Sequence, residues 1–310
     1  MPKRSSPAPA GQQSGFTLVE VMVASAILGL IVVLLVQVAS MVSTTWSMGN
    51  RRSERVQSGR VMVDFISREL RAAALPVDSL SKGVVPDLQF VVNPPGLPAK
   101  FCQPQAVFWQ APLATSTVQG NMAVFGYFVR WDDSVTPPRA SLCRLFQNPG
   151  AASHRVYQQL SWVTETVVDE AAPASASTGY RGLFSENVIG LWVRCFDATG
   201  AVISQTGTAS GTFDSRRDYS ENVRQSDGTV VNVTRLAPVL PTSMEVSLVV
   251  LDSQAASVLT SSLAEKIRSQ ASSSSTAAAF VTAMQNDAVM RKVVQGMSAQ
   301  SLRVHLENAP

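Results

Sequence analysis

Residues 15–20 read Gly15-Phe16-Thr17-Leu18-Val19-Glu20 and open a run that carries no further charge until Arg51. From Phe16 to Met41 the chain is almost wholly Val, Leu, Ile, Ala and Met, with Thr17, Glu20, Ser25, Gln37 and Ser40 as the polar exceptions. About 20 apolar residues span a bilayer as a helix, and this run meets that length. A secretory signal has a shorter apolar region of about 7–15 residues. A single carboxylate in such a segment is costly, so Glu20 implies a partner of opposite charge. Snorkelling to the headgroups is the bland alternative.

Residues 1–14 are rich in Pro, Ser, Ala and Gln and carry Lys3 and Arg4. That positive leader predicts a cytoplasmic N-terminus and an exported remainder, although Arg51, Arg52 and Arg55 weaken the asymmetry.

The six residues, the short basic leader and the long apolar helix together resemble a type IV prepilin signal. The resemblance implies cleavage by a prepilin peptidase between Gly15 and Phe16 and N-methylation of the new first residue, Phe16. It also makes Glu20 the helix-borne glutamate through which subunits assemble. The physics agrees with this. Cleavage frees an ammonium on Phe16, and a neighbour's Glu20 can pair with it in a low-dielectric helix bundle. Either charge left alone costs several kcal/mol, so the pair sets the register. Glycine at position 15 offers the peptidase a backbone without a Cβ.

Beyond Met41 a helical pattern continues. Val42, Trp46, Val56, Val63, Ile66, Leu70 and Ala73 form one stripe, with Gly49, Ser53 and Gly59 filling it. Arg51, Arg52, Arg55, Arg60, Asp64, Arg68 and Arg71 form the other face. Leu75-Pro76 ends the pattern. The expected organisation is a leader at 1–15, a transmembrane and assembly helix at 16–41, the amphipathic half of that helix at 42–75, and a β-rich head with a C-terminal extension at 76–310.

In the head the sequence predicts strands at Leu88–Val92, Ala106–Gln110, Met122–Trp131, Ser141–Gln147, Val188–Phe196 and Met244–Leu251. Met244, Val246, Leu248 and Val250 alternate with Glu245 and Ser247, the pattern of a half-buried strand. Met122–Trp131 is apolar on both faces, which places it centrally. Residues 171–179 and 199–235 read as polar loops. Ser253–Gln270 and Thr276–Met297 read as helices, and Leu302–Leu306 as a closing strand. The fold class is α+β: a long N-terminal helix on an antiparallel head, with helical additions. Asn187–Asp197 and Pro241–Asp252 are similar in character to late strands of the PilW-like minor pilins and the J-type minor pseudopilins of type II secretion.

Chemistry-bearing patterns are sparse. The histidines His154 and His305 lie in unrelated contexts, and no triad, HExxH or phosphate-loop motif is present. No catalytic, cofactor or metal residue is assigned. Asp214, Asp218 and Glu221, and the pair Asp132-Asp133, are oxygen-rich enough to raise calcium. Arg216 and Arg217 oppose it, and solvated loop charges are the expectation. Cys102, Cys143 and Cys195 lack CxxC spacing and read as small buried hydrophobes or one disulfide with a thiol left over. Trp109, Trp131, Trp162 and Trp192 read as core. The net charge is +3, and removing the segment before Phe16 leaves 23 basic against 22 acidic residues. That balance gives no case for nucleic acid.

The expected function is therefore structural: a minor pilin or pseudopilin subunit in the bacterial inner membrane, single-pass, with a periplasmic head. Its partners are the prepilin peptidase and other pilin-like subunits, met through the N-terminal helix. The alternatives are a pilus-displayed adhesin or DNA-uptake module, and a signal-anchored periplasmic protein that never polymerises.

Overall fold

The computed structural model describes residues 17–75, 87–115, 120–152, 154–171, 182–206, 209 and 211–306. The chain forms two compact units, 1–51 and 52–310. Helix α1 runs Leu18–Arg71. Within the first unit its apolar side chains, from Leu18 through Val42 to Trp46, are exposed. It contains an 18-residue window apolar enough to cross a membrane, with none of that window buried. Two hydroxyls along this part of α1 are satisfied by the helix itself: Ser25 Oγ donates to the Val21 carbonyl at 2.6 Å and Thr45 Oγ1 to that of Met41 at 2.8 Å. A helix in lipid must satisfy its polar groups in this way.

The second unit is built from antiparallel strands. A six-stranded sheet comprises β1 (Val91–Val92), β2 (Ala106–Ala111), β3 (Ala123–Asp132), β4 (Arg139–Gln147), β5 (Leu183–Glu186) and β7 (Phe213–Asp214). Its order is β5-β4-β3-β2-β1-β7. Strands β6 (Val188–Phe196), β10 (Ser243–Leu251) and β11 (Met297–His305) make a three-stranded sheet in the order β11-β10-β6. Strands β8 (Tyr219–Arg224) and β9 (Val230–Arg235) form a separate ribbon. The fold is α+β, as the sequence predicts.

Three apolar clusters hold this unit together. Met62, Val63, Ile66 and Leu70 of α1, with Ala73 just beyond its end, pack with Trp109, Phe125 and Tyr127 of the large sheet and Val246, Leu248 and Val250 of the small one. On the other face of the large sheet, Phe108, Phe128 and Leu145 meet Phe101, Trp162 and Val168, the last from α2 (Glu165–Ala171). On the other face of the small sheet, Ile189, Trp192, Val249 and Leu251 meet α4 (Ser261–Ser273), α5 (Ala277–Gln285) and α6 (Arg291–Val294) through Ile267, Phe280 and Val293. Trp109, Trp162 and Trp192 are fully buried. Trp131 is partly buried beneath the Arg268 guanidinium, whose carbon lies 5.3 Å from the ring centroid.

The C-terminal segment closes the small sheet. Strand β11 pairs with β10 from Ser243↔His305 to Leu251↔Met297. The preceding helices start on side-chain caps: Thr260 accepts from Leu263 N–H at 3.3 Å and Thr276 from Ala279 N–H at 3.1 Å. Arg268 anchors α4 to the end of β3 through both Asp133 oxygens, at 3.0 and 2.8 Å. Arg55 of α1 donates to the Gln295 carbonyl at 3.2 Å and pairs with Asp252 at 3.4 Å.

Several sequence readings need correction. The stripe on α1 is buried only from Gly59 onward, and Val42 and Trp46 are exposed. The helix stops at Arg71 rather than near Leu75. Residues 199–235 are not a plain loop: they hold β7 and the β8–β9 ribbon, whose turn is closed by Asp227 accepting from Thr229 N–H at 2.9 Å. The closing strand begins at Met297 and not at Leu302, because its side chains continue the β10 register. Val188–Phe196 is found as read. Residues 172–179 of the other loop lie outside the described residues.

Gly126 shows how tightly the large sheet is packed. It lies opposite Phe108, and a Cβ there would come 2.2 Å from Phe108 Cδ1. Phe108 is itself held between Phe128 and Trp162. Gly126→Ala is expected to lower stability by about 1–3 kcal/mol through overpacking. The readout is a lower denaturant midpoint at unchanged slope. Unchanged stability would mean that the Phe108 ring can move aside.

Candidate functional site

The site is built on the first turn of α1. Thr17 is its N-cap and Glu20 its third residue. The Glu20 N–H donates to Thr17 Oγ1 at 3.3 Å, and the Thr17 N–H donates to Glu20 Oε2 at 3.4 Å. This reciprocal pair is a capping box, which satisfies two of the helix's orphan N–H groups. The carboxylate also complements the positive end of the helix dipole. An ionised carboxylate has two oxygens and about four acceptor sites. Closing the box on Oε2 leaves capacity for a charged donor from another chain. Glu20 is exposed.

Gly15 and Phe16 lie outside the described residues. Thr17 is the residue that sequence reading missed. The Thr17-x-x-Glu20 spacing is a capping-box signature and carried the signal.

Residues 11–36 match the prokaryotic N-terminal methylation motif. The chain thus carries a type IV pilin-like N-terminal segment. This prepilin-type segment implies processing by a prepilin peptidase, assembly with pilin-like subunits, and the membrane anchoring typical of pilins. No curated protein and no solved structure matches the chain.

Elsewhere the candidate residues are committed to internal contacts. Asp214 Oδ1 accepts from Gln89 Nε2 at 2.8 Å, and Asp218 Oδ1 accepts from Ala237 N–H at 2.6 Å. Glu221 is buried, with Oε1 on Arg235 Nε at 2.6 Å and Oε2 on Ala198 N–H at 3.1 Å. Asp132 accepts from the Ser134 N–H, and Asp133 pairs with Arg268. The structure does not bring these carboxylates together, and among the described residues no three metal-ligating side chains group. The three cysteines are free thiols. Burial pushes Cys102 up to about 11 and Cys143 up to about 12, and raises Cys195 further, so all three stay protonated near neutrality.

His305 is exposed on β11, whereas His154 is buried. The Nε2 of His154 has no hydrogen-bond partner among the described residues. Burial lowers its pKa, and hydrogen bonds to backbone at His154 and Met122 pull weakly the other way. The neutral ring is thus favoured in the fold. Its contribution to stability is complete above the ordinary value of about 6.5 and fades as pH falls below it. Between pH 7 and pH 5 the protein should lose stability, and His154→Phe should flatten that slope. Equal slopes in the two proteins would exclude His154 as the source.

Proposed function

We propose that this chain is a minor pilin or pseudopilin subunit with a structural, non-catalytic role. It enters the inner membrane as a precursor with a leader at 1–15, and a prepilin peptidase cuts between Gly15 and Phe16. The mature helix, 16–41 with its continuation at 42–75, then anchors a periplasmic head formed by 76–310. Assembly into a type IV pilus or a type II secretion pseudopilus joins Glu20 of one subunit to the methylated Phe16 ammonium of another. The observation that carries this reading is a lone carboxylate, capped on Thr17, at the start of an exposed apolar helix. The bulk added by α3 (Ser253–Ser257) through β11 favours a minor subunit over one repeated along a filament.

Mass spectrometry of the exported protein tests the proposal. The expected N-terminus is N-methyl-Phe16. A membrane-inserted chain that keeps residues 1–15 would overturn it.

A further inference from the structure

A groove of about 540 Å³ lies where the β8–β9 ribbon meets the loop at 204–206 and the turn at 216–218. That volume is within the roughly 300–1,000 Å³ range of small-molecule sites. Its lining is mixed: Tyr219 and Ala237 contribute apolar surface, and the polar groups are the hydroxyls of Ser204, Thr206, Ser220 and Thr234, with Arg217 and Asp218. Ser220 and Thr234 are directly opposite in the ribbon, with their hydroxyl oxygens 3.3 Å apart.

The walls are fixed from behind. Gln205 is buried between Ser204 and Thr206. Its Nε2 donates to the carbonyls of Asp214 at 2.8 Å and Arg217 at 2.9 Å, and its Oε1 accepts from Asp214 N–H at 2.7 Å. Asp218 is tied by Oδ1 to the Ala237 N–H at 2.6 Å. The neighbouring Arg216 is spent on the carbonyls of Leu160, at 2.7 Å, and Asp87. Arg217 differs: its guanidinium is half-exposed, and its ion pair with Asp214 is loose, at 3.9 Å.

We propose that this groove binds an acidic sugar, with the ligand's carboxylate on Arg217 and its hydroxyls on the Ser/Thr rim and Asp218. An arginine fork receives a planar carboxylate through two parallel charge-assisted hydrogen bonds. Each Ser or Thr hydroxyl both donates and accepts, and Asp218 accepts, which matches a ring bearing several hydroxyls. The Asp218 charge opposes a polyanionic phosphate chain more strongly than a ligand with one carboxylate. A rim built to hydrogen-bond hydroxyls also discriminates against a ligand that lacks them. The inference is independent of how or whether the subunit assembles.

The test uses the full chain in detergent micelles, with D-glucuronate, D-glucose and acetate as probes in ligand-observed NMR titrations. Glucuronate should bind more tightly than glucose or acetate by at least about tenfold, since it alone satisfies both the fork and the rim. Arg217→Ala should abolish its advantage over glucose, and Thr234→Val should weaken it severalfold. Arg224→Ala, outside the groove lining, should leave it unchanged. A glucuronate polymer distinguishes an envelope polysaccharide from a free sugar, according to which binds more tightly. Absence of glucuronate binding, acetate binding equally well, or an undiminished affinity in Arg217→Ala would each overturn the proposal.

Discussion

Glu20→Ala should leave cleavage and methylation intact and reduce incorporation into filaments by at least roughly a hundredfold. Removing the carboxylate leaves the neighbouring Phe16 ammonium unpaired in a water-poor bundle. Losing one partner of a buried pair costs about 3–5 kcal/mol, and about 1.4 kcal/mol is tenfold in an equilibrium. The capping box introduces a second role that has to be separated from the first. Losing a cap costs about 1 kcal/mol, less than a tenfold change in an equilibrium. The cap alone is therefore too weak to exclude a subunit. Glu20→Gln separates the two roles, because glutamine can close the same box without a charge. Both variants should fail to assemble. If Glu20→Gln assembled normally while Glu20→Ala did not, the glutamate would act as a cap and the intersubunit pair would be discarded. Filament content measured by immunoblot, beside N-terminal mass spectrometry, decides between these outcomes.

Much of the fold was legible because its signals are local. The apolar run, the central strand read at Met122–Trp131 and the strand Val188–Phe196 each show their character within a short window. The misreadings came from contacts made at a distance. Met244–Leu251 alternates only at its start; Val249 and Leu251 turn to the C-terminal helices, so its second half is buried on both faces. Nothing within the strand announces that cover. Strand β9, Val-Val-Asn-Val-Thr-Arg, is mostly exposed and lacks a buried face, so its pairing with β8 was hidden by polarity. At the N-terminus the motif was fully legible, while the Thr17 cap needed the helix start to be fixed first. The groove was not legible, since its lining comes from four separate stretches between 204 and 237.

Glu69 is the clearest case of a residue hidden by distance, and its replacement should destabilise the head strongly. It lies on α1 beside the buried stripe. Its carboxylate accepts from Tyr127 OH at 2.6 Å and from Arg144 Nε at 3.1 Å, and a second Arg144 nitrogen closes a bidentate pair. The Arg144 guanidinium carbon lies 4.9 Å from the Phe146 ring centroid and 5.4 Å from that of Phe125. The cation thus sits against two rings while its side chain stays 26% exposed. Burial and the neighbouring Glu69 both raise the Tyr127 pKa, so the phenol remains a donor throughout the ordinary pH range. Glu69→Leu strands Arg144 and the Tyr127 hydroxyl together. The pair is partly rather than fully buried, so the cost is about 2–4 kcal/mol, below the value for a wholly buried pair. For a domain of this size that is a fall in Tm of about 5–15 °C. Pairing the change with Arg144→Met should recover most of the loss, because an apolar pair of similar volume leaves no charge behind. A double variant as unstable as Glu69→Leu would place the energy in the shape of the contact, and a single variant within about 1 °C of the parent would mean that the α1-to-sheet ion pair contributes nothing net.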